Sequence, residues 1–156
     1  SAQCESLETV QLRKIIDEAI DLLSLSYSQR RVEFICTVDP LLHVQSDPQH
    51  LIQVFLNLFG NALDASPNDA SVTIAAESLG DTVEVAISDS GAGIDENIQH
   101  RVFEPFVTSK EPGEGTGLGL WVVFNLMTDL GGSVSLTSPA RDSDRGSTAV
   151  MRLPCK

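Results

Sequence analysis

Apolar side chains recur at helical spacing in three parts of the chain. Residues 11–24 form an amphipathic pattern, with apolar positions on one side and charged positions on the other. Asp47 and Pro48 supply an N-cap and a first-turn proline for a longer helix that we expect to end near Ser66. A third helix, apolar enough to be buried, is predicted over residues 117–130, where two glycines stop it.

Stretches that alternate or are rich in β-branched residues predict the strands. They lie at residues 31–39, 42–45, 71–77, 81–88, 133–137 and 147–153. The first and second strands are separated by a short turn, as are the third and fourth, so each of these pairs is expected to form a hairpin. The stretch 91–117 is dominated by glycine, proline and charge, with one short helix predicted at 95–102. A loop of this length usually carries function.

Composition and charge limit the fold classes and the binding partners that are possible for this chain. The chain has 156 residues and is 42% hydrophobic, which suits a single domain made of a helix and hairpin (1–46) and a larger remainder (47–154). A net charge of -12 argues against nucleic acid as a partner and against contact of this chain with an anionic membrane. Its three cysteines show neither disulfide nor metal spacing, so we expect a reducing, cytoplasmic location.

A stripe of polar side chains runs along the second predicted helix. Its members are spaced by four, four and three residues, which places them on one helix face. They are Gln53, Asn57, Asn61 and Asp64. A solvated helix surface explains such a stripe, and the helix alone favours that explanation. However, asparagine is a poor helix former, and amide oxygens are good ligands for Mg2+ that carries phosphates.

The strand that ends at Asp89 directs a carboxylate toward the core. Asp89 shares the parity of the apolar residues in its strand, and Ser147 shares that of the last strand. A buried carboxylate needs hydrogen-bond donors, and Gly91 and Gly93 just after it would let a ligand approach the backbone closely. An ordinary Asp-Gly turn is the alternative that this segment alone favours.

Alternating glycines stand immediately before the third helix. They are Gly113, Gly115, Gly117 and Gly119. Free backbone N–H groups and the positive end of a helix can together cradle phosphate oxygens, and Lys110 adds a cation nearby. A flexible loop is the alternative. Since a structural linker has no need to stand at a helix N-terminus, we favour a phosphate site.

Four segments, in this order, resemble sequence boxes of sensor histidine kinases. They are residues 57–62 (NLFGNA), 89–93 (DSGAG), 103–106 (FEPF) with Lys110, and 115–120 (GTGLGL). The resemblance extends over residues 47–154. It implies an α/β two-layer sandwich in which a mixed, mostly antiparallel sheet packs against three main helices, with a mobile ATP lid over residues 107–117.

The same resemblance implies ATP and Mg2+ as cofactors and suggests their contacts. Asn61 would hold Mg2+, and Asp89 would accept a hydrogen bond from the adenine amino group. Asn57 and Lys110 would support the phosphates as the catalytic residues. The other nucleotide-binding residues that the resemblance implies are Gly91, Gly93, Ile94, Gly115, Thr116, Gly117, Leu118, Gly119, Leu120 and Ser147, with Thr148 as the alternative to Ser147.

The activity implied by the resemblance is transfer of the γ-phosphoryl group of ATP to a histidine. That histidine would lie on a separate dimerisation and phosphoacceptor segment of the parent protein, with a response regulator as the indirect partner. Related ATPases of the gyrase, heat-shock and mismatch-repair type carry a water-activating glutamate where this chain has Asn57. An amide cannot take a proton from water, so slow hydrolysis and transfer to another acceptor are expected.

Two features depart from the family pattern. Many members have a basic residue where this chain has Asp64, and the acceptor-helix motif is absent, since His50 does not match it. We therefore expect the chain to be the catalytic part of a larger sensor, which can be membrane-anchored, and to be a monomer by itself. Two other functions stay open: a nucleotide-responsive interaction module without phosphotransfer, and a serine kinase that shares the fold.

Overall fold

The three predicted helices are present in a computed structural model that describes residues 7–27, 31–91, 93–94, 101–105, 119–139 and 145–155. The elements in chain order are β1 (Glu8–Gln11), α1 (Leu12–Ser26), β2 (Glu33–Cys36), β3 (His43–Ser46), α2 (Pro48–Ala65), β4 (Ser71–Ser78), β5 (Thr82–Asp89), α3 (Gly119–Asp129), β6 (Ser133–Thr137) and β7 (Ser147–Pro154). Most of the short helix predicted at 95–102 lies outside the described residues, as do the first two positions predicted for the third helix.

Five strands form one sheet in the order β2-β4-β5-β7-β6. β2 pairs in parallel with β4, whereas the other three pairings are antiparallel. The sheet is therefore mixed and mostly antiparallel, as predicted, and β4 and β5 form the expected hairpin. Because β5 and β7 pair along their whole length, the end of β5 lies beside the start of β7.

The hairpin predicted from strands 31–39 and 42–45 is wrong. β2 joins β4 of the large sheet, while β3 pairs antiparallel with β1 in a separate two-stranded sheet. The connection between them forms a tight turn at Asp39, whose carboxylate and carbonyl accept from the backbone N–H groups of Leu41 and Leu42 at 2.9 and 3.0 Å. This turn is bonded to the segment where β1 meets α1, because Gln11 Nε2 donates to the Pro40 carbonyl at 3.2 Å and the Leu12 N–H donates to the Leu42 carbonyl at 3.1 Å. β1 is a strand that the sequence pattern did not indicate.

The helices bury one apolar stripe each. The buried positions of α1 are Leu12, Ile15, Ile16, Ala19 and Leu23, which are the apolar positions of the predicted pattern. On α2 the fully buried rings of Phe55 and Phe59 stack with their centroids 5.2 Å apart. α1 and α3 both contact α2, and α2 contacts β5 of the sheet. α2 is thus the central helix of the layer, and its position sets that of every polar side chain it carries.

α3 is less buried than its composition predicts. Val123 and Met127 are fully buried, but Trp121 is 41% exposed and Phe124 is 48% exposed. A helix at the end of a layer buries only the one side that faces the core, so its second apolar stripe stays outside the core.

Within the described ranges no helix is both long and apolar enough to cross a bilayer.

Candidate functional site

The N-terminus of α2 is fixed by its own first residues. The carboxylate of Asp47 accepts from the backbone N–H groups of Gln49 and His50 at 2.9 and 3.3 Å, and Pro48 occupies the first turn. The same carboxylate lies 3.0 Å from Nδ1 of His50. This cap is the one predicted from the sequence, and it fixes the residue at which α2 begins.

The polar stripe borders a pocket where the end of α1, the middle of α2 and the start of α3 meet. The pocket is lined by Leu23, Tyr27, Leu56, Asn57, Gly60, Asn61, Asp64 and Gly119. Three of the four stripe residues thus line a concave surface, whereas Gln53 is exposed and lies outside the lining. Amide and carboxylate oxygens are the donors that Mg2+ prefers, so this lining fits that cation chemically.

The side chain of Asn57 connects two helices. Its amide nitrogen donates to the carbonyl oxygen of Gly119 at 3.3 Å, and its amide oxygen accepts from Gln53 Nε2 at 2.9 Å. Gly119 is the first residue of α3. Asn57 therefore orients the start of α3 against α2, in addition to any contact that it makes with a ligand.

Tyr27 also lines this pocket, and the sequence did not indicate it. Its hydroxyl donates to Oδ1 of Asp64 at 3.0 Å, across 37 positions of the chain. A single tyrosine at the end of a helix carries no spacing signal, so only the packing of α1 against α2 reveals this contact.

Asp89 is buried at the end of β5, as its parity predicts, and both of its oxygens accept hydrogen bonds. The Ser147 hydroxyl donates to Oδ2 at 2.8 Å, and the backbone N–H of Gly91 donates to Oδ1 at 2.9 Å. Only 8% of Asp89 is exposed. Thr148 points to the opposite face of the sheet, where its hydroxyl lies 2.9 Å from that of Ser88. The structure therefore brings Ser147, and not Thr148, to the carboxylate.

The turn after β5 packs closely on other parts of the chain. A Cβ added at Gly91 would collide with the backbone carbonyl of Ala65, the last residue of α2. Gly93 has a φ of +84°, and a Cβ there would lie 2.7 Å from the Ser138 hydroxyl. Both positions therefore require glycine. At each of them the atoms that lie close to the glycine backbone belong to the protein itself and not to a ligand.

Ser138 is a second residue that sequence reasoning missed. Its hydroxyl accepts from the backbone N–H of Ile94 at 3.1 Å and donates to the carbonyl oxygen of Gly146 at 2.8 Å. Gly146 directly precedes β7 and has a φ of +82°. One hydroxyl thus ties the glycine turn to the end of the strand that carries Ser147.

Part of the predicted site lies outside the described residues. This part comprises Lys110, Gly113, Gly115, Thr116, Gly117 and Leu118, with the lid predicted over 107–117. Gly119 and Leu120 are described and begin α3, both half-buried. In the described part of the FEPF segment, the ring of Phe103 lies 6.2 Å from that of Phe124, which places Phe103 against α3.

Sequence comparison relates the chain to known kinases. A profile of the family described as "Histidine kinase-, DNA gyrase B-, and HSP90-like ATPase" matches residues 46–156. The chain is 35% identical over 150 residues to the sensor histidine kinase ZraS of Escherichia coli, a match that covers 96% of this chain and 31% of ZraS. It is also 35% identical over 133 residues to sporulation kinase A of Bacillus subtilis, which covers 84% of this chain and 22% of that protein. The chain spans less than a third of either relative.

Comparison with solved structures gives matches over nearly the whole chain. A mycobacterial sensor histidine kinase, MprB, superposes with a TM-score of 0.83 at 29% identity and covers 95% of this chain and 97% of that chain. The nucleotide-free catalytic domain of the histidine kinase ThkA superposes with a TM-score of 0.82 at 25% identity, covering 96% and 95%. The architecture described above is therefore that of histidine kinase catalytic domains.

Proposed function

Because the chain belongs to the histidine kinase-, DNA gyrase B- and HSP90-like ATPase family, we propose that it binds Mg-ATP and phosphorylates a histidine on a separate dimerisation and phosphoacceptor segment of its parent protein. An imidazole nitrogen forms a bond to the γ-phosphorus while the bond from phosphorus to the bridging oxygen breaks. ADP leaves, and the imidazole proton passes to solvent. The phosphohistidine would then supply a response regulator. The domain would act in the cytoplasm, as a monomer until it meets these partners.

One contact carries the proposal, and it lies between the end of α2 and the turn after β5. Gly91 packs on the carbonyl of Ala65 so closely that a Cβ would collide with it. Ala65 lies about one helical turn beyond Asn61. A buried carboxylate suited to a purine amino group and an oxygen-lined pocket suited to a phosphate-bound cation therefore both lie beside the C-terminal half of α2.

The adenine end of the proposed site depends on Asp89. A carboxylate accepts hydrogen bonds and cannot donate when ionised, so it matches the donating exocyclic amine of adenine. Ser147 and the Gly91 N–H hold the two oxygens from the protein side. Gly91, Gly93 and Ile94 would line the base. This arrangement orients the carboxylate before the ligand arrives, which reduces the entropy lost on binding.

The phosphate end depends on α2 and the start of α3. The amide oxygen of Asn61 would hold a Mg2+ ion that phosphate oxygens also hold, and Asn57 would support the phosphates beside it. Bound Mg2+ would neutralise charge on the transferring phosphoryl group. The first N–H groups of α3 have no partner within the helix and suit phosphate oxygens. Lys110 and residues 115–118 are assigned to this end from their match to the kinase boxes.

The experiment that tests the proposal has two stages. First, calorimetric titration with a non-hydrolysable ATP analogue and Mg2+ should give micromolar-range binding that Asp89→Asn abolishes. The matched control is Asp81→Asn, the same exchange at an exposed residue beside the other end of β5. Loss of affinity in both variants, or in neither, would contradict the assignment of Asp89.

The second stage identifies the acceptor. The chain, γ-labelled ATP and the histidine-bearing segment of the parent protein should together yield a labelled product that acid destroys, because the N–P bond of phosphohistidine is acid-labile. An acid-stable label would indicate a serine kinase of the same fold. Nucleotide binding without any label would favour an interaction module that responds to ATP.

A further inference from the structure

We propose that Asp64, held by Tyr27, makes nucleotide binding strongly dependent on a divalent cation and acts as a further cation-facing residue of the pocket. This inference rests on the proposed function, because it concerns the phosphate end of the same site. It extends that function by assigning a role to a pocket carboxylate that the proposed nucleotide contacts leave unused.

The position of Asp64 is the first observation. Asp64 lines the pocket together with Asn57 and Asn61. It follows Asn61 by three residues in α2, so the two side chains lie on the same helix face. Among the described residues that line this pocket, Asp64 is the acidic one, and none of the others is a lysine or arginine.

The orientation of Asp64 is the second observation. The hydroxyl of Tyr27, which caps the end of α1, donates to its Oδ1 at 3.0 Å. This bond restrains an exposed side chain. Because carboxylate oxygens can accept several interactions at once, it is compatible with a cation on the same carboxylate. Tyr27 is therefore a positioning residue that restrains the side chain of Asp64 at the pocket wall.

The negative charge of Asp64 determines how nucleotide binding responds to a cation. A triphosphate is a polyanion, and a carboxylate in the same pocket repels it when no cation lies between them. A divalent cation bound between the two groups converts this repulsion into a net attraction, because it attracts both the phosphate oxygens and the carboxylate. Mg2+ in phosphate-binding sites is usually held by one or two carboxylates together with substrate phosphates. Asn61 contributes a neutral oxygen, so Asp64 supplies the charge that such a site uses.

The test measures binding and does not depend on catalysis. The affinity of a non-hydrolysable ATP analogue is determined by calorimetry with EDTA and with saturating Mg2+. The dissociation constant in EDTA divided by that in Mg2+ measures the coupling between the analogue and the cation. Coupling between two ligands at one site is typically about 5-fold to 150-fold. We expect Asp64→Asn to lower the ratio about tenfold, mainly by improving affinity in EDTA.

Two further variants separate this role from a structural one. Tyr27→Phe keeps the ring and removes the hydrogen bond, so the ratio should fall by a smaller factor than in Asp64→Asn. Asp21→Asn makes the same exchange at an exposed position of α1 and should leave the ratio unchanged. If Asp64 had only a structural role, Asp64→Asn would instead weaken binding of the ATP analogue by the same factor in EDTA and in Mg2+.

The outcomes separate the inference from the proposed function. If the natural chain binds the analogue and Asp64→Asn leaves the Mg2+ ratio unchanged, the inference is wrong while the proposed function stands. If the folded natural chain binds no analogue in either condition, the proposed function fails and this inference fails with it. A lowered ratio in both Asp64→Asn and Tyr27→Phe supports the role given to each.

Discussion

The carboxylate of Asp89 and the hydroxyl of Ser147 lie 2.8 Å apart, and the two residues are directly opposite each other in the pairing of β5 with β7. Both side chains are buried. The contact follows from register, because a slip of one residue would turn Ser147 to the other face and bring Thr148 to Asp89. The proposed adenine contact therefore depends on the alignment of two whole strands.

Removal of the Ser147 hydroxyl should weaken nucleotide binding. Ser147→Ala leaves Oδ2 of Asp89 without its donor, and one such hydrogen bond contributes about 0.5–1.5 kcal/mol, a factor of roughly 2 to 13 in affinity. Calorimetric titration with an ATP analogue measures this loss. Ser88→Ala, which removes a hydroxyl from the opposite face of the sheet, is the matched control and should bind normally.

Ser138 should matter for the same ligand although it lies outside the sequence boxes. Ser138→Ala breaks the link between Ile94 and Gly146, so the glycine turn is no longer tied to β7. We expect the analogue to bind about tenfold more weakly, from the loss of two hydrogen bonds. Ser135→Ala, at an exposed position of β6, serves as control. Equal affinities in the two variants would show that the turn keeps its conformation without Ser138.

Gly91→Ala should destabilise the fold. The new methyl group would collide with the backbone carbonyl of Ala65, and a backbone atom cannot rotate away as a flexible side chain can. Overpacking of this kind costs about 1–3 kcal/mol, which urea unfolding would detect as a lower midpoint. Gly119→Ala, whose added Cβ meets nothing within 4 Å, should not lower the midpoint.

The cap of α2 should contribute measurably to stability. Asp47→Ala removes the acceptor for the Gln49 and His50 N–H groups, and loss of an N-cap costs about 0.5–2 kcal/mol. Chemical unfolding followed by circular dichroism gives the free energy directly. Asp21→Ala, on the exposed side of α1, should change it much less. A small and equal change in both would mean that water replaces the cap without cost.

We expect the exposed aromatic side chains of α3 to bind the phosphoacceptor segment and to take no part in nucleotide binding. Trp121 and Phe124 are 41% and 48% exposed on a helix whose first residue lines the pocket. If partner helices dock there, Phe124→Ala should lower phosphotransfer about tenfold, the effect of losing a well-packed interface aromatic. Affinity for the ATP analogue should stay unchanged. Leu79→Ala, an exposed apolar residue in the β4–β5 turn, should affect neither.

Local patterns predicted the elements well because each signal lies within the element itself. The cap at Asp47, the helical spacing of α2 and the alternation of β5 are all readable over fewer than twenty residues. The placement of Asp89 toward the interior follows from that alternation. Fold class was likewise predictable, since the order of the boxes implied the sandwich that the structure shows.

Contacts between distant segments could not be predicted in this way. β2 pairs with β4 and β3 pairs with β1, and no local rule indicates that neighbouring strands separate into two sheets. The roles of Tyr27 and Ser138 arise only when helices and strands pack, because neither residue has a characteristic spacing. Alternation similarly shows that Asp89 faces inward but does not name Ser147 as its donor.

The small β1–β3 sheet means that the segment bearing the family signature is shorter than the unit that folds. The family match begins at residue 46, whereas Glu8 pairs with Ser46 and Val10 with Val44, immediately before the cap of α2. A truncation at the edge of the match would remove a whole sheet and also α1, which covers α2. Expression boundaries for this kinase domain should therefore be drawn upstream of Glu8, well outside the recognisable motifs.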